Sequence, residues 1–166
     1  MEGSKPDWLR QMEGILEALN EGVMIVDDCN QVLFANDRLV EMTPFSREEI
    51  LGRTPAHFYS GDDLKFLMEQ IARGEEQGSN RFEFYLVGPS QVRLPVIISS
   101  RVIEDPDGRR FAVVTFTDIR AQKHAQQQLE QANAQLEKRQ REIETELALA
   151  SRVQQSLAPR GLRWGR

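Results

Sequence analysis

Cysteine and histidine, two side chains that commonly act as catalytic nucleophile, general base or metal ligand, are scarce in this sequence. The 166 residues include one cysteine and two histidines, and Cys29, His57 and His124 lie far apart along the chain. Nucleophilic catalysis needs a nucleophile with a base and an orienting group, a phosphate-binding loop needs closely spaced glycines, and a metal centre needs clustered ligands. The sequence shows none of these patterns, so we expect the chain to have no catalytic activity and no metal site of its own.

Composition excludes several other classes of function. Lys and Arg total 21 against 26 Asp and Glu, a formal net charge of −5, and the basic residues form no one-sided stripe, so nucleic acid is not an expected partner. No apolar run approaches the length of about 18 residues that a membrane span needs. The first residues lack a secretory signal, and a single cysteine excludes a disulfide framework. We therefore expect a cytoplasmic protein with no membrane partner.

The elements that would position a binding site are indicated by turns and periodicity. An amphipathic helix is predicted within residues 1–20, because apolar residues recur there at spacings of three and four: Trp8, Met12, Ile15, Leu16 and Leu19. A second helix is predicted over 62–73, with a buried face formed by Leu64, Leu67, Met68 and Ile71. Predicted strands cover 22–27, 31–35, 81–87, 92–103 and 109–118. Two strands, a helical block and three strands indicate an α+β domain with an antiparallel sheet.

The stretch FANDRLVEMTPFSREEILGRT, residues 34–54, contains two helix starts close together. Asn36 can accept a hydrogen bond from an N–H of the turn that follows it, and Ser46 with Glu49 three residues later forms a capping box. One long helix would lie flat across a sheet, whereas several short helices can curve around a space. We therefore expect a pocket between these short helices and the sheet.

Three segments together resemble a known family. They are NDRLVEMTPFSREEILGR from Asn36 to Arg53, the preceding GVMIVDDCNQVLFAN, and GRRFAVVTFTDIRAQK after the last predicted turn. They are similar to the corresponding segments of PAS sensor domains. The resemblance implies a five-stranded antiparallel sheet with short helices on one face over residues 21–118, used to sense a ligand or to mediate dimerisation. The sequence departs from the family pattern at Pro44, where Gly is usual, and at Arg120, where a Thr hydroxyl would help to cap the next helix.

The same resemblance directs the search for a cofactor. Photosensing flavin relatives carry a reactive cysteine in a G-x-N-C-R-F-L-Q run, but the matching segment GRTPAHFYSGDD has none, and Cys29 is interpreted as a surface thiol in a hairpin turn. Haem-binding relatives place a histidine on the long helix, and residues 62–73 contain none. His57 is then the candidate cofactor-binding residue, with a structural role as its alternative. We predict no cofactor. The domain either binds a small apolar ligand or binds no ligand, and the sequence does not choose between these alternatives.

Asp118, Ile119 and Arg120 are the candidate signal-transfer residues. In PAS domains the Asp at this strand-to-helix junction links the sheet to a linker helix, so that movement of the sheet reaches the helix. The alternative is that Asp118 only caps the helix, which stabilises its first turn by about 1 kcal/mol.

Residues 119–158 contain no Gly and no Pro and predict one helix of about 40 residues, roughly 60 Å long. Strict seven-residue spacing favours a parallel coiled coil, with polar residues at some core positions setting the register and Arg139 facing Glu144 of the partner helix. The predicted seam consists of Leu129, Asn133, Leu136, Gln140, Ile143, Leu147, Ala150 and Leu157, with Ile119 at the first core position. We expect a homodimer through this coiled coil and the N-terminal helix. A single solvated helix is the alternative, and the register beyond Leu147 is ambiguous.

The segment ETELALASRVQQSLAPR, residues 144–160, resembles the sequence that precedes bacterial PPM-type serine phosphatase domains of the sporulation and stress-sigma-factor class. The resemblance implies that residues 159–166 begin an output domain, present in cis in a longer protein. The phosphoacceptor motif of histidine kinases and the Asp-x-Leu-Thr-Gly-Leu turn of cyclases are absent from the chain. A dimeric scaffold without a ligand, or a sensor for another output such as a kinase or cyclase, is the alternative function.

Overall fold

The computed structural model describes residues 6–87 and 92–157. Its residues fall into two units, one extending to Ala121 and the other beginning at Gln122. The elements, in chain order, are α1 (Asp7–Glu17), β1 (Gly22–Asp27), β2 (Val32–Ala35), α2 (Asp37–Glu41), α3 (Arg47–Ile50), α4 (Pro55–Phe58), α5 (Gly61–Gln77), β3 (Ser79–Val87), β4 (Arg93–Glu104), β5 (Arg110–Asp118) and α6 (Arg120–Leu157).

The five strands form one antiparallel sheet in the order β2-β1-β5-β4-β3. This confirms the predicted α+β class and the five-stranded sheet. The last strand in the chain, β5, lies in the centre between β1 and β4. Successive β5 side chains point to opposite faces: Phe111 joins the apolar cluster beneath α1, whereas Val114 and Phe116 join the cluster beneath α2 to α5. The sheet is therefore covered on both faces.

Helix α1 packs on the sheet with a narrower face than the sequence indicates. Leu9 and Leu16, two helical turns apart, are buried against β1, β2 and β5. Met12, Ile15 and Leu19 lie on the adjacent side and are 42%, 62% and 44% exposed. The amphipathic helix is thus present, but most of its predicted apolar stripe is available at the surface of this unit.

Helix α5 is longer than predicted, and its inner face includes three of the four residues predicted for it: Leu67 is buried, Leu64 is half-buried, and Ile71 is half-buried and packs against the core. It continues to Gln77 because Gly78 adopts a left-handed conformation, with φ of 76°, that ends the helix. Its buried residues are Leu67, Gln70 and Gly74. Met68 is exposed, so its predicted burial is wrong. Positions 67, 70 and 74 follow one helical face, and Met68 falls one residue outside it.

Helix α6 begins directly after β5 and spans 38 residues. From Arg120 to Ser156 its residues are exposed in this chain. The predicted start of an output domain, residues 159–166, and Pro159 of the phosphatase-like segment lie outside the described residues. In the part of the chain that the structure describes, no helix combines the length and apolarity that crossing a membrane requires.

Candidate functional site

An apolar cavity of about 240 Å³ lies between the sheet and the short helices, where the sequence predicts a pocket. Leu39 of α2, Ile50 of α3 and Phe58 of α4 line it from the helical side, and Val114 and Phe116 of β5 line it from the sheet. Polar lining groups include Thr43, Gln70 and Ser100. A cavity of about 150 Å³ lined by apolar side chains can hold benzene. The space here is therefore large enough for a small apolar molecule.

The two short helices that wall the cavity begin with the caps that the sequence predicts. The N–H of Leu39 donates to Asn36 Oδ1 over 3.0 Å at the start of α2. At the start of α3, the N–H of Glu49 donates to Ser46 Oγ, and the N–H of Ser46 donates to Glu49 Oε2. This reciprocal capping box satisfies two N–H groups that a four-residue helix leaves unpaired.

Asn36 has a wider role than capping. Its side chain is fully buried, and Oδ1 also accepts a hydrogen bond of 2.8 Å from the N–H of Val23 in β1. Its Nδ2 donates to the carbonyl oxygens of Leu16 at the end of α1 and Glu21 in the following loop, over 3.0 and 2.9 Å. All four hydrogen bonds of one amide therefore join α1, its loop, β1 and α2.

A cluster of charged side chains joins the end of α1 to both short helices. Glu17 Oε2 accepts the N–H of Asp37 over 2.8 Å, and Glu17 Oε1 accepts from Arg47 over 2.8 Å. Arg47 also forms an ion pair with the Asp37 carboxylate. The hydrogen bond to Glu17 raises the pKa of Arg47 above its already high value. The Glu17 and Arg47 side chains are each about one-third exposed, so water screens this cluster only in part.

The opposite end of the helical wall is joined to β3. The Tyr59 hydroxyl, between α4 and α5, donates to the carbonyl oxygen of Tyr85 over 2.9 Å. The Tyr85 hydroxyl donates to Asp63 of α5, and the Arg93 guanidinium lies 4.1 Å from the centre of the Tyr85 ring. Burial raises the pKa of Tyr59 well above its ordinary value, so its hydroxyl remains a donor at neutral pH.

The junction between β5 and α6 contains the three candidate signal-transfer residues. Asp118 Oδ1 accepts the N–H of Arg120 over 2.9 Å, and Asp118 Oδ2 pairs with the Arg120 guanidinium over 2.7 Å. These bonds from Arg120, with a smaller contribution from the charge of Arg38 on α2, hold the pKa of Asp118 below its usual range. Asp118 therefore supplies a side-chain acceptor for the first N–H group of α6.

Two further contacts fix this junction. The Thr117 hydroxyl donates to Glu21 Oε1 over 2.6 Å, which links the end of β5 to the loop after α1. The N–H of Ile119 donates to the carbonyl oxygen of Pro95 in β4 over 3.2 Å, one position beyond the last paired residues of the two strands, Val96 and Asp118. Ile119 itself is only 3% exposed. Because its side chain is packed within this unit, it cannot also occupy the first core position of a coiled coil.

Comparison with known proteins identifies the domain that holds this cavity. A family model described as PAS domain matches residues 20–121, more than half of the chain. This chain belongs to the PAS domain family. A comparison with curated proteins finds no match.

Solved structures share the fold at low sequence identity. A PAS domain from a two-component sensor histidine kinase is 22% identical, with 67% of this chain and 96% of that chain covered and a TM-score of 0.56. A PAS domain from Colwellia psychrerythraea is 16% identical, with 68% and 98% covered and a TM-score of 0.58. An RNA-binding light-oxygen-voltage receptor is 16% identical, with 81% and 40% covered and a TM-score of 0.62. At these identities the likeness establishes the PAS fold alone.

The candidate cofactor residue His57 lies on α4 of the PAS domain and is exposed. Its ring packs edge-to-face against Phe58, with the ring centres 5.0 Å apart. Phe58 lines the cavity, whereas His57 is not among the lining residues. The structure therefore does not direct this imidazole toward a group bound in the cavity.

Cys29 lies in the turn between β1 and β2, where it is exposed, as the sequence predicts. Its thiol and the carboxylates of Asp27 and Asp28 lie within 4.8 Å of one another. Asp27 Oδ1 already accepts the N–H groups of Cys29 and Gln31 and so builds the turn. The negative charges, that of Asp28 foremost, raise the pKa of the Cys29 thiol, which lowers its reactivity.

Sequence reasoning missed the residues that connect the PAS cavity to α1. Glu17 and Arg47 are far apart in the chain and carry no local signal of pairing. Asn36 was identified only as a cap. One available signal was its position directly after an apolar strand, VLFA, where a buried polar side chain needs several partners.

Proposed function

We propose that this chain is the sensing and transmitting part of a dimeric, cytoplasmic, bacterial regulator. In this proposal the PAS domain cavity takes a small apolar ligand, and two copies of α6 form a parallel coiled coil that passes the signal through Asp118, Ile119 and Arg120 to a C-terminal PPM-type phosphatase domain. The apolar cavity of about 240 Å³ is the observation that carries the proposal.

The cavity favours one class of ligand. Most of its lining is apolar and aromatic, and its volume of about 240 Å³ lies near the lower limit of small-molecule sites. An uncharged molecule of roughly ten to fifteen non-hydrogen atoms fits such a space. The charged lining residues Asp27, Asp28, Glu75 and Arg110 are exposed or half-buried, so an ionised group deep in the cavity would lose its hydration without a buried partner. Gln70 and Ser100 offer polar atoms for orienting it.

Binding to the cavity can be tested with naphthalene, followed through the methyl resonances of Leu39 and Leu67. We expect saturable binding to the native chain. In Val114→Phe the added ring fills cavity volume, so we expect affinity to fall by about tenfold or more. Thr115→Phe is the matched control, because residue 115 follows Val114 on the strand and points to the opposite face. Undetectable binding to the native chain, or equal affinity in both variants, would contradict the proposed site.

The proposed dimer rests on the apolar stripe of α6. Leu129, Leu136, Ile143 and Leu147 are 62%, 64%, 52% and 65% exposed in the single chain. Leu129, Leu136 and Ile143 are spaced by seven residues and Leu147 follows four residues after Ile143, the d-to-a step of a heptad, so an identical second helix would bury the whole stripe at once. Asn133, Gln140 and Ala150 share this stripe, and Leu157 extends the spacing in the sequence. The exposed Met12 and Ile15 of α1, with Leu19 just after it, provide the second contact between copies.

The coiled coil can be tested by sedimentation equilibrium. We expect the native chain to be a dimer and Leu136→Asp to shift the equilibrium strongly toward monomer, because a carboxylate would be buried at the seam. Gln135→Asp introduces the same charge on the adjacent, outward position and should leave the dimer intact. A native chain that remains a monomer at high concentration would show that α6 is a solvated single helix.

The proposed output is supported by Glu146, Leu147, Ala150, Val153 and Gln154 of the phosphatase-like segment. In the full-length protein, inserting three or four residues into α6 should alter dephosphorylation of an anti-sigma antagonist, whereas inserting seven should preserve the helix phase and the activity. A full-length protein that carries a kinase or cyclase domain instead would identify the alternative output. Activity that ignores the phase of the insertion would support a passive scaffold.

A further inference from the structure

The helices that wall the cavity also hold α1, and the Glu17 carboxylate makes two of the contacts between them. Leu39 and Ile50 face the cavity from α2 and α3. Asp37 on α2 and Arg47 on α3 both bind Glu17 in the last turn of α1. Helix α2 has only five residues and α3 only four. A displacement of the cavity wall must therefore move the groups that Glu17 binds.

The backbone at the end of α1 is held to the same wall with little free space. Asn36 Nδ2 donates to the carbonyl oxygen of Leu16 while its Oδ1 caps α2. At Gly22, where β1 begins, an added Cβ would lie 3.3 Å from the Leu39 Cα and 3.2 Å from the Met42 sulfur. Close packing of this kind transmits displacement because the contacts cannot compress.

We propose that Glu17, Arg47 and Asn36 are positioning residues that couple the occupancy of the cavity to α1. A ligand that contacts Leu39 and Ile50 restrains α2 and α3, and these restrain the last turn of α1 through Glu17 and Asn36. The position of the exposed Met12, Ile15 and Leu19 therefore differs between the empty and the occupied states of the cavity. A signal from the cavity can then leave the domain through α1, by a route separate from Asp118 and α6. This inference rests on the proposed ligand-binding function.

Hydrogen exchange on the complete chain tests the coupling, with naphthalene as the ligand. In the native chain, saturating naphthalene should slow exchange of the Leu16, Glu17 and Ala18 amides by about threefold or more, since restraint of the wall lowers local opening. Glu17→Gln should bind naphthalene with similar affinity but lose this response. Glu41→Gln is the matched control: it removes the exposed Arg38–Glu41 ion pair on α2, does not touch α1, and should respond like the native chain.

The outcomes separate this inference from the proposed function. If the Leu39 and Leu67 methyl resonances do not respond to naphthalene, the ligand site fails and the coupling fails with it. If those resonances shift but exchange in α1 does not change, only the coupling is wrong. A Glu17→Gln chain that retains the full α1 response would also overturn it. Loss of the response in Glu17→Gln and its retention in Glu41→Gln would establish it.

Discussion

Replacing Asn36 with alanine should destabilise the PAS domain more than any other single polar truncation described above. The amide is fully buried and makes four hydrogen bonds, two as acceptor and two as donor. A typical intramolecular hydrogen bond contributes about 1 kcal/mol net, and an unpaired buried group costs about 1 to 3 kcal/mol. Four such losses, partly relieved by entering water, predict a decrease in the free energy of unfolding of about 3 to 5 kcal/mol.

Urea denaturation followed by Trp8 fluorescence measures this decrease. Trp8 packs edge-to-face on Phe111, with ring centres 5.4 Å apart, and therefore reports tertiary packing rather than the helicity of α6. A Trp164→Phe background removes the other tryptophan, which lies outside the described residues. Because small domains unfold with about 5 to 15 kcal/mol in total, the Asn36→Ala chain should remain folded but be close to its limit.

An exposed asparagine provides the comparison for Asn36. Asn20→Ala, an exposed substitution of the same kind in the loop after α1, should change the unfolding free energy by less than about 0.5 kcal/mol. A loss below about 1.5 kcal/mol for Asn36→Ala, at an unchanged dependence on urea, would mean that the four buried bonds do not hold α1, β1 and α2 together.

Three further predictions concern single positions. Gly78→Ala should destabilise the domain by about 1 kcal/mol because the φ of Gly78 is 76°. Gly14→Ala, inside α1, should stabilise it by a similar amount. An added Cβ meets nothing within 4 Å at either site, so backbone conformation alone should give the two variants opposite shifts in thermal denaturation. Ser46→Ala should cost about 1 kcal/mol, measured by urea denaturation, through loss of the capping box. Ser60→Ala is the control, because the exposed Ser60 precedes α5 without a side-chain cap hydrogen bond, and an equal cost there would point to a nonspecific effect. The lowered pKa of Asp118 stabilises the folded state above the unfolded value of about 4, and this contribution is lost as pH falls through the folded pKa. The melting temperatures of the native chain and Asp118→Asn should therefore differ at neutral pH and converge as the pH falls below the usual aspartate pKa of about 4, and a constant difference would contradict this assignment.

Local chemistry was sufficient to predict most elements of this domain. The caps at Asn36 and Ser46 depend on a few neighbouring residues, and both form as expected. Strand alternation and short turns predicted the five strands to within about two residues. The short helix Pro55–Phe58 was not predicted, because a single turn with a proline at its start has no periodicity to detect.

Contacts distant in sequence were not predictable in the same way. Both faces of α1 carry apolar residues, and only the position of the sheet determines that Leu9 and Leu16 are buried while Ile15 is exposed. The pairing of Glu17 with Arg47 joins residues 30 positions apart, and no periodic pattern records it. The burial of Ile119 likewise follows from the sheet that it contacts, although heptad spacing alone would place it in the coiled coil.

Pro95 accepts the last hydrogen bond of the sheet before α6 begins. It lies in β4 opposite Ile119 and accepts that residue's N–H, but it has no N–H with which to return the bond. Lengthening β5 at the expense of α6 would leave a carbonyl oxygen opposite Pro95 without a donor. Pro95 therefore fixes the residue at which β5 ends, because extending the strand past Asp118 would leave that carbonyl oxygen unpaired.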